Sequence, residues 1–304
     1  MAFDAPDSLG IIVEVHRRSA KVRGDDGQDF DCAYSPVINL ESFSNFAVGD
    51  RVTFHAGSSA QEPLITSVLP RTSKISRPGP RDRRHDELIL AANVDALVIV
   101  STPSQPDFNP RLIDRYLALA ENFSIDAVIC LNKIDLEPEL PSELVYLKTL
   151  GYTVLTCSVR QRLGLQELQD HLAGRMVVLS GSSGVGKSSL IKALVPGADP
   201  RVGEVRDRDG RGRHTTTASQ LYTLSNGLRI IDTPGIRELG FWGVESRDLS
   251  GLWRDFKALH GQCQFRDCMH RGEKGCAVAK AVAAGQIPEA RLSSYRRILS
   301  GMEF

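Results

Sequence analysis

The sequence predicts a multi-domain protein that joins an N-terminal β-barrel of OB type, a central α/β domain and a mainly helical C-terminal module. Short strand-like segments fill the first seventy or so residues, and strands then alternate with helical segments as far as about Phe241. Beyond that point helical segments flank a cluster of cysteines. These changes of pattern place the three expected domains at residues 1–72, 73–240 and 241–304.

The first domain is expected to be a five-stranded barrel. Its strand-like segments are Gly10–Val15, Ala20–Arg23, Asp29–Ala33, Asp50–His55 and Leu64–Leu69. The sequence Gly24-Asp25-Asp26-Gly27 between the second and third segments predicts a hairpin turn. Five short strands favour an OB-type barrel, although the pattern does not distinguish it from an SH3-like barrel.

The second domain is expected to contain a parallel sheet. Residues 70–85, which are rich in proline and basic residues, predict a linker before it. The apolar strand-like segments are Ala96–Ser101, Ala127–Leu131, Thr153–Cys157, Met176–Ser180 and Arg229–Asp232, and the helical segments include Pro110–Asn122, Leu165–Leu172 and Lys187–Val195. Strands that alternate with helices indicate a sheet covered on both faces.

A phosphate-binding loop follows the strand Met176–Ser180. The residues Gly181, Ser182, Ser183, Gly184, Val185, Gly186, Lys187 and Ser188, with Ser189 after them, match the pattern G-x-x-x-x-G-K-[ST]. Its backbone N–H groups and the following helix N-terminus suit a polyphosphate. We expect Lys187 to reach the β- and γ-phosphates and Ser188 to ligate Mg²⁺, so the loop predicts a nucleoside triphosphate.

Two further segments are candidates to sense the γ-phosphate. Asp232-Thr233-Pro234-Gly235 ends a strand, so Asp232 can hold Mg²⁺ through water and the Gly235 N–H can contact the γ-phosphate. In the charged segment before it, Thr216 is the candidate switch threonine, with Thr215 as an alternative.

The base-recognition motif is Asn132-Lys133-Ile134-Asp135, an N-K-x-D sequence at the end of a strand. The Asp135 carboxylate can accept from the ring N–H and the exocyclic amine of guanine, whereas adenine presents the wrong donors. We expect Asn132 to contact the other edge of the base and to brace the P-loop, and the Lys133 stem to cover the base. Ser158 follows the next strand and is a candidate in a second base-contacting loop.

The order of these motifs is circularly permuted. The usual GTPase order begins with the P-loop and ends with the base motifs, whereas here N-K-I-D and the Ser158 loop come first. Because all these loops lie at the carboxyl ends of parallel strands, the site survives permutation. Ile236 stands where Ras-like enzymes place a water-orienting glutamine, and it cannot orient water. His214 is therefore the candidate catalytic residue, with a bystander surface histidine as the alternative.

The C-terminal module contains a candidate zinc site. Cys263, Cys268, His270 and Cys276 lie within fourteen residues, with His260 as a spare ligand. Three thiolates and an imidazole are typical of a closed, tetrahedral, structural Zn²⁺ site, so one structural zinc per chain is expected.

The composition limits the cellular location and the partners that we expect for the protein. The net charge is zero, and no apolar segment is long enough to span a bilayer. The N-terminus lacks the basic region of a secretory signal, and the scattered cysteines do not form a disulfide framework. We therefore expect a cytoplasmic protein, a monomer, with neither a membrane nor DNA as partner.

Together these features resemble the small-ribosomal-subunit-dependent GTPases of bacteria, the RsgA/YjeQ family. The resemblance rests on N-K-I-D, G-S-S-G-V-G-K-S-S, G-R-H-T-T-T, D-T-P-G-I-R-E and C-x4-C-x-H-x5-C with F-R-D-C-x-H, in that order after a barrel. It implies GTP hydrolysis stimulated by the small (30S) subunit, a role in late subunit maturation and contact with 16S rRNA. It also supports zinc at the four ligands and a catalytic His214. The segment Cys157–Arg160 departs from the family pattern.

Two other functions are compatible with parts of the sequence. One is a nucleotide-gated RNA-binding module in which GTP is largely structural. The other is an ATP-using kinase with a P-loop, against which the N-K-I-D motif argues.

Overall fold

The structure is a computed structural model that describes residues 7–16, 18–35, 46–57, 61–79, 87–198, 219–233 and 240–302. The strands are β1 (Ser8–Val15), β2 (Ser19–Gly24), β3 (Asp29–Tyr34), β4 (Arg51–His55), β5 (Leu64–Val68), β6 (Lys74–Pro78), β7 (Glu87–Ala92), β8 (Ala96–Ser101), β9 (Asp126–Leu131), β10 (Thr153–Thr156), β11 (Met176–Ser180), β12 (Gln220–Thr223) and β13 (Arg229–Asp232). The helices are α1 (Pro110–Phe123), α2 (Ser142–Thr149), α3 (Leu165–Leu172), α4 (Lys187–Leu194), α5 (Arg254–Lys257), α6 (Ala277–Ala283) and α7 (Glu289–Gly301).

The chain forms two compact units. The first unit comprises Met1–Asp95, Leu172–Leu179 and Ser188–Leu239, and the second comprises Ala96–His171, Ser180–Lys187 and Gly240–Phe304. No helix in the described parts of the chain combines the length and apolar character that crossing a bilayer requires.

The first unit begins with the predicted five-stranded barrel. Its strands follow the order β1-β2-β3-β5-β4, and antiparallel pairing of β1 with β4 closes the barrel. Alternate residues of β4 point inward, so Val52 and Phe54 are buried. They pack with Ile12, Ala20, Val22, Cys32, Phe46 and Ile65. The expected barrel is therefore confirmed.

The predicted hairpin between β2 and β3 is also present. Gly27 has φ +85°, a left-handed conformation that favours glycine. Its N–H donates to the Gly24 carbonyl at 2.9 Å, and the Gln28 N–H donates to Asp26 Oδ1 at 3.0 Å. The turn sets the β2–β3 register, in which Arg23 pairs with Asp29.

Part of the segment predicted to be a linker is instead a strand. β6 pairs antiparallel with β7, and Ile75 and Ala91 are wholly buried. Lys74 forms an ion pair with Glu87 across the two strands. The proline and basic residues of β6 are typical of a loop, and its partner strand β7 lies downstream. The local sequence therefore predicted a linker where a strand is present.

The remaining strands of the first unit extend the barrel sheet. β11 is parallel to β13, β13 is antiparallel to β12, and β12 pairs with β1 through Gln220 and Glu14. The parallel register sets Val178 beside Ile231. The carboxyl ends of β11 and β13 therefore lie at the same edge of the sheet.

The second unit contains the parallel strands β10, β9 and β8 in that spatial order. β8 is buried along its whole length, which accounts for its continuous apolar sequence. The helical segment predicted before the cysteine cluster is not continuous: it is divided into a 3-10 turn at Leu249–Leu252 and the short α5, separated by Trp253. Trp253 is extended (φ −106°, ψ 116°) and its side chain is buried.

Candidate nucleotide and metal sites

The P-loop joins β11 to α4, and two of its glycines have no room for a side chain. Gly181 has φ +144°, and a Cβ there would lie 2.1 Å from the Val100 carbonyl oxygen. Gly186 has φ +98°, and a Cβ there would lie 2.5 Å from Asn132 Nδ2. The loop is therefore packed against β8 and against the N-K-I-D loop through bare backbone.

The P-loop lysine lies over its own loop. Lys187 Nζ donates to the carbonyl oxygens of Gly181 and Ser182, each at 2.7 Å. α4 begins at Lys187, with Ser188 and Ser189 in its first turn. The P-loop therefore carries both an ammonium group and a helix N-terminus, two sources of positive charge that suit a phosphate.

Asn132 fastens three loops together. Its side chain is buried, and Nδ2 donates to the Val185 carbonyl of the P-loop at 2.9 Å. Its Oδ1 accepts from the Val159 N–H at 3.3 Å and from the Cys157 thiol at 3.6 Å. The N-K-I-D loop, the P-loop and the loop after β10 are therefore held as one structure.

Lys133 and Ile134 add to this connection. Lys133 adopts φ +63°, and its Nζ donates to the Gln105 carbonyl at 2.5 Å and to the Gly184 carbonyl at 2.7 Å. The Ile134 N–H donates to the Cys157 carbonyl at 3.3 Å. The Lys133 stem accordingly spans from the N-K-I-D loop to the P-loop.

Asp135 is held by the residue that the sequence suggested as a base contact. The Ser158 hydroxyl is buried and lies 2.5 Å from Asp135 Oδ1, and it accepts from the Gln161 N–H at 3.1 Å. Two backbone hydrogen bonds between Ser158 and Leu163, at 3.0 and 3.1 Å, close this loop. In this geometry Ser158 acts through Asp135, by orienting its carboxylate.

The structure describes only one of the remaining candidate residues for binding phosphate and Mg²⁺. Asp232 is the last residue of β13, the parallel neighbour of β11. His214, Thr216 and Gly235 lie outside the described residues.

The four predicted metal ligands converge in the C-terminal part of the second unit. The ligand atoms of Cys263, Cys268, His270 and Cys276 all lie within 4.8 Å of one another, without His260. His270 Nδ1 is 3.7, 3.7 and 3.3 Å from the three sulfurs, in that order. A tetrahedral Zn²⁺ with ordinary bond lengths separates sulfur from nitrogen by about 3.6 Å. The residues therefore fit this ion.

The surrounding backbone supports these ligands. The N–H groups of Ala277 and Ala279 donate to the sulfurs of Cys263 and Cys276 at 3.3 and 3.4 Å, which favours thiolates. Burial lowers the pKa of His270 and so favours the neutral imidazole that binds metal. Although burial opposes it, hydrogen bonds from backbone N–H groups lower the pKa of Glu273 to about 2, and its carboxylate orders the ligand loop.

A buried ion cluster of Arg291, Asp114 and Asp255 was not predicted from the sequence. Arg291 is only 5% exposed; it donates to both oxygens of Asp255, at 3.0 and 2.8 Å, and to Asp114 on α1. The Tyr146 hydroxyl donates to Asp255 at 3.2 Å. This cluster attaches α5 and α7 to α1 and α2 within the second unit.

Fold and site together define a P-loop nucleotide-binding domain whose base-recognition loops precede its phosphate loop in the chain. The model of the RsgA GTPase family matches residues 68–242. The small ribosomal subunit biogenesis GTPase RsgA of Azotobacter vinelandii is 40% identical over 304 residues, which cover 98% of this chain and 86% of the relative. Its namesake from Gemmatimonas aurantiaca is 39% identical over 296 residues, 96% of each chain. The chain therefore belongs to the RsgA GTPase family and is a GTP hydrolase.

Solved structures agree with this assignment. The crystal structure of YjeQ from Thermotoga maritima has a TM-score of 0.76 and 29% identity, covering 97% of this chain and 98% of that one. YloQ, described as a circularly permuted GTPase, has a TM-score of 0.73 over 100% of this chain and 97% of its own. At 23% identity the second likeness concerns the fold.

Proposed function

We propose that this protein binds the small ribosomal subunit and acts in its late maturation, hydrolysing GTP to GDP and phosphate with turnover that the subunit stimulates. The observation that carries the proposal is the hydrogen bonding of the buried Asn132 side chain, which holds the proposed guanine-recognition loop against the P-loop. Relatives that match nearly the whole chain are named small ribosomal subunit biogenesis GTPases, which supports the choice of partner.

Each loop has a distinct role in this proposal. Asp135, oriented by Ser158, accepts from guanine, and the Lys133 stem covers the base. The P-loop N–H groups and Lys187 bind the phosphates. Ser188 and Asp232 would hold Mg²⁺, which supplies neutralising charge between the β- and γ-phosphates. Thr216 and Gly235 respond to the presence of the γ-phosphate.

His214 is proposed to position the attacking water, because Ile236 cannot. We expect His214→Ala to slow single-turnover GTP hydrolysis by roughly 10²-fold, the usual contribution of a general base, with GTP affinity retained. His171→Ala, at an exposed position of α3, is the matched control. An unchanged rate in the His214 variant would remove the residue from the mechanism.

One structural zinc is proposed at Cys263, Cys268, His270 and Cys276. Cys268→Ala should lower the zinc content from about one ion per chain to near zero, because a closed site needs all four ligands. Amide exchange across residues 263–302 should accelerate in the same variant. The control, Cys32→Ala, changes a buried barrel cysteine and should leave both measurements unchanged. Full zinc content in the Cys268 variant would refute the assignment.

We further propose that the protein contacts 16S rRNA. We also propose that it is a cytoplasmic monomer without DNA or membrane partners, with functional domains at residues 1–72, 73–240 and 241–304. A small β-barrel and a zinc module are both common platforms for nucleic acid. Cosedimentation tests the partner directly. We expect comigration with small subunits in the presence of a non-hydrolysable GTP analogue, and weaker comigration with GDP. Equal binding to large subunits, or no nucleotide dependence, would contradict the proposal.

A further inference from the structure

Two cysteine thiols contact each other next to the proposed guanine-recognition loops. Cys130 precedes the last residue of β9, and Cys157 immediately follows β10. Their sulfur atoms lie 3.5 Å apart, and both side chains are buried. In the parallel register of β9 and β10 Leu155 pairs with Cys130, so Cys157 lies two residues further along the chain and the two thiols meet diagonally.

Cys157 is also joined to the residues that shape the nucleotide site. Its thiol contacts Asn132 Oδ1 at 3.6 Å, its N–H donates to the Leu131 carbonyl at 2.8 Å, and its carbonyl accepts from the Ile134 N–H at 3.3 Å. A displacement of Cys157 therefore moves the partners of Asn132, which fastens the P-loop to the base loop.

The two sulfurs differ in character. The hydrogen bond from the Cys130 thiol lowers the pKa of Cys157 and so favours its thiolate, the reactive form. The same hydrogen bond and burial raise the pKa of Cys130. Burial, together with the nearby charge of Asp31, raises the pKa of Cys32, in the barrel core, to about 12. Cys32 is therefore a buried cysteine without this activation.

We propose that Cys130 and Cys157 are a peroxide-sensitive dithiol that closes to a reversible disulfide and thereby weakens guanine-nucleotide binding. The Cys157 thiolate attacks hydrogen peroxide, which forms an S–O bond, breaks the O–O bond and releases hydroxide. The Cys130 sulfur then attacks Cys157, which forms the S–S bond and expels the sulfenic oxygen as hydroxide. That hydroxide takes the Cys130 proton and leaves as water. The proton that Cys157 lost on ionising converts the first hydroxide to water, so in sum two thiols and one peroxide give one disulfide and two waters.

Closing this bond strains the site above it. A disulfide needs a sulfur–sulfur distance of about 2.05 Å, so the sulfurs must approach by about 1.5 Å from their separation of 3.5 Å. The Cys157 contact to Asn132 is then lost, and the base loop shifts. We expect GDP to bind about tenfold more weakly after oxidation, the scale of one lost buried hydrogen bond. The expected loss of GDP affinity rests on the guanine site proposed above, whereas formation of the cross-link does not depend on that site.

The test uses the full-length zinc-containing protein, its Cys130→Val variant and the matched Cys32→Val variant. Each is treated with hydrogen peroxide and alkylated, its peptides are analysed by mass spectrometry, and GDP affinity is measured before and after addition of dithiothreitol. We expect a Cys130–Cys157 cross-linked peptide and a reversible affinity loss in the wild type and in Cys32→Val. Neither should occur in Cys130→Val, which should bind GDP normally before oxidation.

Two results would overturn the proposal. One is the absence of the cross-link while other thiols oxidise. The other is an equal affinity loss in Cys130→Val, which would show that the Cys130–Cys157 disulfide does not cause the loss. If Cys130→Val fails to fold, Cys157→Ser serves instead: it keeps a donor for Asn132 and must also be insensitive to peroxide. Failure of the untreated wild type to bind GDP would refute the proposed function, and the peptide analysis would still decide the disulfide.

Discussion

Replacement of Asp135 by Asn is expected to weaken GTP binding by roughly 10²- to 10⁴-fold and to shift preference toward xanthosine triphosphate. In the proposed site the carboxylate accepts two hydrogen bonds from guanine, and bonds to a charged group contribute about 1.5–3 kcal/mol each. An amide presents a donor where guanine also presents donors, whereas xanthine offers an acceptor there. Ser158 holds the side chain in place at 2.5 Å, so the orientation needed for this pairing is already built.

Competition binding with the two nucleotides measures this change. Asp170→Asn, which removes an exposed carboxylate on α3, is the matched control and should leave both affinities unaltered. Retention of normal GTP affinity in the Asp135 variant would refute the guanine assignment. A parallel loss for both nucleotides would indicate a folding defect and would be visible in the thermal unfolding of the variant.

Replacement of Arg291 by Met should lower the free energy of unfolding by about 3–5 kcal/mol, because it leaves the carboxylates of Asp114 and Asp255 buried without their cation. Denaturant unfolding of the zinc-loaded protein measures the loss. Arg297→Met, on the exposed side of the same helix, should change stability by less than about 0.5 kcal/mol. A similarly small change in the Arg291 variant would show that the cluster does not hold α7 in place.

The same cluster predicts a pH dependence with a defined sign. Burial raises the pKa of Asp114, although Arg291 opposes this shift. An acid whose pKa is raised on folding favours the folded state while it is protonated, and this benefit is lost as pH rises through the raised pKa. Without Arg291 the pKa of Asp114 rises further. The stability difference between the variant and the wild type should therefore shrink as pH falls below neutrality, and a constant difference would contradict this explanation.

Sequence patterns predicted the features whose signals are local. The P-loop residues adjoin one another in the chain. Their glycines are needed where another residue approaches closely, as Asn132 approaches Gly186. The barrel strands alternate buried and exposed side chains, as Val52 and Phe54 show. The four candidate metal ligands lie within fourteen residues, so their spacing alone predicted that the four donors converge.

The features that were missed depend on partners distant in the chain. Nothing near Arg291 in the sequence indicates that its charge pairs with Asp114, which lies far upstream. A buried arginine also obscures the apolar face of α7. The bond of Ser158 to Asp135 joins two separate loops, so the sequence did not indicate it, and a contact of Ser158 with the base stays a prediction. The contact of Cys130 with Cys157 likewise depends on the pairing of two strands that are separate in the chain.

Multiple-turnover GTP hydrolysis, measured with and without purified small ribosomal subunits, tests the central claim most directly. A guanine site that lacks a water-orienting glutamine, in a family whose members are named for small-subunit biogenesis, predicts slow turnover alone. Added small subunits should then increase the rate by at least about tenfold, and large subunits should not. A rate that is the same with and without small subunits would contradict the account and would favour an RNA-binding module in which GTP is largely structural.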